Sequence, residues 1–143
     1  MRNKRLIRRN LDQLSERGFI VEAPRNLQWV CIHGLDLPGT LTGRWTDHEA
    51  RVIVETSVLI DIPYDFPLSP PGVGYSHPSR AIHLPRIYYN GKTMKDLYEC
   101  EHAPWCWLCF QSMKWDPEHD SLLSLLAMVE TTISHRLREA GLW

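Results

Sequence analysis

Four side chains able to act as nucleophiles or metal ligands lie close together in the second half of this sequence. Cys100, His102, Cys106 and Cys109 fall within ten residues of one another. A cysteine thiolate is a strong nucleophile that can carry an acyl group as a thioester. Cysteine and histidine are also preferred ligands of Zn²⁺. The stretch therefore predicts either covalent acyl chemistry or a metal site.

The zinc interpretation depends on spacing. Cys106 and Cys109 form a Cys-x-x-Cys pair, and Cys100 and His102 would complete a tetrahedral ligand set. Structural zinc sites usually join two ligand pairs across a longer spacer than this one. A zinc-bearing loop that binds another protein stays open as an alternative to thiol chemistry.

Each cysteine also has a purely structural interpretation. Leu108 and Phe110 flank Cys109, and burial among apolar neighbours raises the pKa of a thiol and makes it inert. Cys31 stands in the middle of a predicted strand, where we expect a buried structural thiol.

Composition narrows the class of protein. The chain has 143 residues, 43% of them hydrophobic and 23% charged, with a formal net charge of −1. These values are typical of a single soluble domain and give no reason to expect nucleic acid as the main partner. No apolar run follows the basic start as in a secretory signal, and none approaches a membrane span. Four cysteines without a signal peptide lead us to expect a cytoplasmic protein with reduced thiols.

Hydrophobic periodicity predicts the elements that must position the cluster. Residues 3–17 form an amphipathic helix, with arginines on the face opposite its leucines. Residues 19–22, 27–35, 41–45 and 50–62 form strands at short intervals, which favours an antiparallel meander. The region from residue 61 to residue 121 has little regular pattern, and loops of that length are usually functional. Asp116 or Asp120 then caps a helix that runs to about Arg138, with a buried stripe of Leu122, Leu125, Leu126, Val129 and Ile133.

Two motifs bracket the long loop. Residues 67–71 (PLSPP) follow the last meander strand, and residues 115–117 (WDP) precede the final helix. With the order of elements, these motifs resemble the ubiquitin-conjugating enzyme (UBC) superfamily, and most closely its divergent bacterial members. The resemblance implies an α+β, UBC-like fold in one domain, 1–143. That fold has an N-terminal helix, a four-stranded antiparallel meander, a long active-site loop and one C-terminal helix.

The resemblance also implies a function. Family members accept a ubiquitin-like protein as a cysteine thioester from an activating enzyme and transfer it to an amine of a target protein. They need no metal and no nucleotide of their own. Similar bacterial proteins are found beside defence genes, which makes antiviral defence a possible setting. A UBC-like scaffold without catalytic activity is the second alternative.

Site residues follow from position relative to Trp115. In the family the nucleophile lies about eight residues before this tryptophan, and Cys106 and Cys109 bracket that position. Cys109 is the first choice and Cys106 the second. The family's His-Pro-Asn turn has no strict match: residues 83–85 (HLP) or 77–79 (HPS) stand nearest, and neither supplies the asparagine.

Other polar residues of the loop would assist the transfer. Gln111 or Ser112 would donate to the oxyanion in place of the asparagine. The candidates for orienting the incoming amine are His83, His102, His119, Asp116 and Asp120. The arginines of the first helix would dock the activating enzyme, as the family's first helix does: Arg2, Arg5, Arg8 and Arg9.

Overall fold

A computed structural model describes residues 2–71, 81–93, 105–108 and 114–141. Within these ranges the chain forms two helices and nine strands. The helices are α1 (Lys4–Glu16) and α2 (Leu122–Glu139). The strands are β1 (Ile20–Glu22), β2 (Trp29–Asp36), β3 (Trp45–Thr46), β4 (Val52–Ile53), β5 (Glu55–Asp61), β6 (Ile82–Pro85), β7 (Tyr88–Tyr89), β8 (Lys92–Thr93) and β9 (Trp105–Trp107).

The main sheet is antiparallel and has the order β1-β2-β5-β6-β9. Because side chains alternate across a strand, each strand contributes to two faces. The inner face carries the buried residues Val30, Ile32, Val58, Ile60, Ile82, Leu84 and Cys106. We call the opposite surface the outer face. It carries Trp29, Cys31, His33, Ser57, Leu59, Asp61, His83, Trp105 and Trp107, with Ile20 and Glu22 on β1.

Both helices add their apolar stripes to the core formed by the inner face. Ile7 and Leu14 of α1 are buried, as are Leu122, Leu125, Leu126, Val129, Ile133 and Leu137 of α2. The stripe predicted for α2 is therefore confirmed. One polar side chain joins the helices: buried Asn10 of α1 accepts a hydrogen bond from the Leu122 backbone N–H at 2.9 Å. This bond satisfies one of the N–H groups that the first turn of a helix leaves without a partner.

A small second sheet has the order β4-β3-β7-β8. Its centre is the contact between Trp45 and Tyr89, whose ring centroids are 4.8 Å apart. The Tyr89 hydroxyl donates to the Gly39 carbonyl at 2.6 Å, and the Trp45 indole donates to the Pro38 carbonyl at 2.7 Å. A side chain at Gly43 would collide with the buried Tyr89 ring, which explains the glycine.

Several predicted boundaries are wrong. The main sheet has five strands rather than four. Of the predicted strand 41–45 only Trp45 pairs, with Thr46 beyond it, and this pair belongs to the second sheet. The predicted strand 50–62 is divided into β4 and β5. The cap of α2 is Ser121, whose hydroxyl accepts from the Leu123 and Ser124 N–H groups. The Asp120 carboxylate instead accepts from the Asp116 N–H.

The largest correction concerns the long loop. Strands β6, β7, β8 and β9 all lie between residues 61 and 121. Each is only two to four residues long, which is too short to leave a periodic signal in the sequence. His83 and Cys106 are consequently strand residues rather than loop residues.

Candidate functional site

The two motifs that bracket the loop contact each other. The Trp115 indole N–H donates to the Pro67 carbonyl at 2.7 Å. The Trp115 ring also packs against Phe66, with centroids 5.7 Å apart, and Phe66 is fully buried. The Phe66–Pro67 peptide bond is cis. The start of the segment that leads into α2 is thus attached to the turn that follows β5.

The N-terminus binds the same turn. The Asn3 N–H donates to the Phe66 carbonyl at 3.4 Å. The Arg2 guanidinium donates to the Ile62 carbonyl at 3.3 Å and lies 5.7 Å from the Tyr64 ring centroid. Of the four predicted docking arginines, Arg2 therefore has structural contacts.

The other three arginines of the predicted docking surface lie on one exposed side of α1. Arg5, Arg8 and Arg9 are spaced at i, i+3 and i+4, so their side chains lie on one side of the helix. They face away from the buried stripe of α1. The described part of the chain therefore presents them to solvent as a basic surface.

The cysteines differ in accessibility. Cys106 lies on β9 with its side chain on the inner face, and 0% of it is exposed. Cys31 lies on β2, where the predicted buried thiol is confirmed. Burial raises the pKa of the Cys31 thiol, and the negative charge of Glu22 raises it further. Cys109 lies outside the described residues, as do Cys100, His102 and Gln111. Leu108, the residue before Cys109, is buried, and its N–H donates to the Ile82 carbonyl at 2.9 Å.

The two predicted histidines lie in different surroundings. His83 lies on the outer face, with its Nε2 3.3 Å from Asp61 Oδ2. His119 lies just before α2 and is exposed, and its Nδ1 contacts Asp116 Oδ2. That carboxylate raises the pKa of His119 through a hydrogen bond and its charge. The hydrogen bond from His119 also lowers the pKa of Asp116.

Asp116, Glu118 and His119 are the one group in the described ranges whose side-chain oxygens and nitrogen lie close enough to share a metal ion. All three are exposed. None of the three belongs to the predicted zinc ligand set, and three of the four residues of that set lie outside the described residues.

Sequence reasoning missed a pocket on the outer face. We call it the outer-face pocket; its volume is about 280 Å³, and it is lined by Glu22, Trp29, Cys31, Leu59, Asp61 and Trp105. Alternation alone places Trp29, Cys31 and His33 on one face of a strand. The register that brings Asp61 opposite Trp29 comes from pairing between distant segments.

Comparison of the chain with protein-family models, with curated proteins and with solved structures gives no match. Neither helix in the described ranges is both long and apolar enough to cross a membrane.

Proposed function

We propose that this protein is a ubiquitin-conjugating-enzyme-like carrier with a UBC-like fold. It accepts a ubiquitin-like protein as a cysteine thioester from an activating enzyme and transfers it to an amine of a target protein. Antiviral defence in a bacterium is the setting that the sequence resemblance suggests.

The observation that best supports this proposal is the hydrogen bond from Trp115 to the Pro67 carbonyl. It joins the only two specific motifs on which the resemblance depends, although they are 48 residues apart in the chain. Their contact brings together the two ends of the segment 68–114, in which Cys109 lies.

Burial of Cys31 and Cys106 leaves Cys100 and Cys109 as candidate nucleophiles, and of these the position relative to Trp115 favours Cys109. Acyl transfer brings a partner enzyme's thioester within bonding distance of the sulfur, and neither Cys31 nor Cys106 is accessible to such a partner. The Cys109 thiolate attacks the thioester carbonyl, and the activating enzyme's cysteine leaves as a thiolate. In the second step a neutral amine attacks, a C–N bond forms, and the C–S bond breaks to restore the Cys109 thiolate.

The remaining site residues serve the charges that develop in these steps. The Gln111 amide would donate to the oxyanion of each tetrahedral intermediate. His119 or His83 would orient the amine and receive its proton. The Asp116 contact that raises the pKa of His119 makes its neutral form a stronger base. Asp61 would hold the His83 ring in position.

A reconstitution experiment tests the proposal. The protein is mixed with ATP, the activating enzyme and the ubiquitin-like protein encoded beside it, and separated on a gel without reductant. We expect an adduct that reductant removes. It should disappear in Cys109→Ala and persist in Cys106→Ala, which is the matched control because it removes a thiol three residues away.

Each other outcome has a definite meaning. An adduct lost only in Cys106→Ala would identify Cys106, on β9, as the nucleophile. Absence of any reductant-sensitive adduct in the wild-type protein, with all components active, would leave a UBC-like scaffold. One equivalent of zinc by native mass spectrometry would instead support the protein-binding module with a Cys/His zinc site.

A further inference from the structure

We propose that the outer-face pocket binds an organic ammonium group, of the kind found in choline or in a methylated lysine side chain. The pocket shares Asp61 with the proposed thioester chemistry, through the contact of this carboxylate with His83, but its test needs no activating enzyme. It depends on the shape, the aromatic walls and the charge of the pocket.

The register of the sheet brings together lining residues from β1, β2, β5 and β9. Glu22, Cys31, Leu59 and His83 are successive partners across β1, β2, β5 and β6. Leu59 and Cys31 therefore form an apolar base between β1 and β6. The pocket extends from this row toward Trp29 on one side and Trp105 on the other.

Two indole rings line the pocket from opposite sides. Trp29 belongs to β2 and Trp105 to β9, three strand positions away, which corresponds to roughly 14 Å between backbones at the usual strand spacing. Trp29 keeps 37% of its surface exposed, so part of this large side chain is open to solvent. The face of an indole ring attracts cations, and more strongly than the other aromatic side chains do.

The polar groups of the lining are acidic. Glu22 and Asp61 are the charged residues among the six, and no lysine or arginine is among them. Each carboxylate has a histidine neighbour: Glu22 Oε1 lies 3.3 Å from His33 Nε2, and Asp61 Oδ2 lies 3.3 Å from His83 Nε2. The Ser57 hydroxyl holds the other ring nitrogen of His33 at 2.6 Å. These contacts hold the carboxylates at the edge of the pocket, where they favour a positively charged ligand.

The base of the pocket selects among cations. Leu59 is apolar, and the raised pKa of Cys31 keeps its thiol uncharged near neutral pH. A strongly hydrated metal ion or a bare ammonium would lose water there without gaining ligands. Methyl groups on the nitrogen would instead gain contact with the leucine, the thiol and the indole rings. A volume near 280 Å³ is at the small end for ligand sites and suits one such head group.

The test uses the indole N–H signals of the protein in a ¹H–¹⁵N spectrum during titration with choline chloride. We expect the Trp29 and Trp105 signals to move, while those of Trp45 and Trp115 stay in place because their N–H groups bind the Pro38 and Pro67 carbonyls. The uncharged isostere 3,3-dimethylbutan-1-ol has the same shape and should bind at least tenfold more weakly. Equal affinity for both compounds, or no movement with either, would overturn the proposal.

Variants locate the site. Trp105→Leu and Glu22→Gln should each weaken choline binding at least threefold, whereas Glu55→Gln, on the exposed start of β5, should leave it unchanged. Retained fold is checked by the unchanged Trp45 and Trp115 signals. A trimethyllysine peptide and its unmodified lysine form identify the source of the ligand. Preference for the modified peptide over choline would indicate a protein partner, and the reverse a small amine. If Glu55→Gln lost as much choline affinity as Trp105→Leu and Glu22→Gln, the assignment to this pocket would be overturned.

Discussion

The contact between His119 and Asp116 predicts how one residue near the proposed site titrates. Asp116 raises the pKa of His119, mainly by accepting its hydrogen bond. We expect Asp116→Asn to lower the pKa of His119 toward the ordinary value of about 6.5, measured by NMR titration of the ring. Glu118→Gln is the matched control, because this neighbouring carboxylate does not contribute to the shift. An equal fall in both variants would mean that general surface charge, rather than the contact, sets the pKa.

The two pKa shifts determine how the contribution of the His119–Asp116 contact to the stability of the fold depends on pH. The raised pKa of His119 means that the contact stabilises the fold at pH values below about 6.5 and that this contribution is lost as pH rises through the folded-state value. The lowered pKa of Asp116 means that its share is present above about 3.9 and is lost as pH falls through its folded-state value. The contact therefore acts between about pH 4 and pH 6.5. Both groups are exposed, so the effect on unfolding is small.

At the level of elements, α1 has two sides with different roles. One side is fixed in the core by Ile7, Leu14 and Asn10. The other side is exposed and carries Arg5, Arg8 and Arg9. Lys4 and Arg5 lie in the first turn, which holds no acidic residue, and positive charge there opposes the helix dipole. A basic surface on a rigid helix is suited to an acidic partner.

We predict that Arg5→Glu, Arg8→Glu and Arg9→Glu together slow thioester formation at least tenfold at low salt. Thermal stability should change little, because glutamate suits position 5 at the start of the helix, whereas glutamates at positions 8 and 9 lie beside the like charge of Asp12. The rate is measured in the reconstituted reaction, and the difference between variant and wild type should shrink as salt is added. Arg17→Glu and Arg25→Glu are controls outside this surface. A triple variant that forms the thioester as fast as wild type would show that these arginines of α1 do not dock the activating enzyme.

For the whole molecule, local periodicity in the sequence predicted the helices, whereas the pairing of distant strands was not predicted. The predicted helix 3–17 matches Lys4–Glu16, and the predicted stripe of α2 is buried as expected, because each depends on residues three or four apart. The strands from β6 to β9 were missed. Pro85 ends β6 after four residues, and β9 pairs with it from about twenty residues away in the chain. The outer-face pocket was missed for the same reason, since its walls come from strands whose register is not written in any single segment.

The contact between Trp115 and Pro67 joins the two motifs, and it can be tested directly. We predict that Trp115→Phe lowers the free energy of unfolding by about 1–3 kcal/mol, because the part-buried Pro67 carbonyl loses its donor and the smaller ring loses contact with Phe66. Trp29→Phe makes the same chemical change on the exposed outer face, and we expect about 0.5 kcal/mol or less. Urea denaturation measures both. Equal losses would show that the indole bond does not hold the two motifs together, and would weaken the proposed function with it.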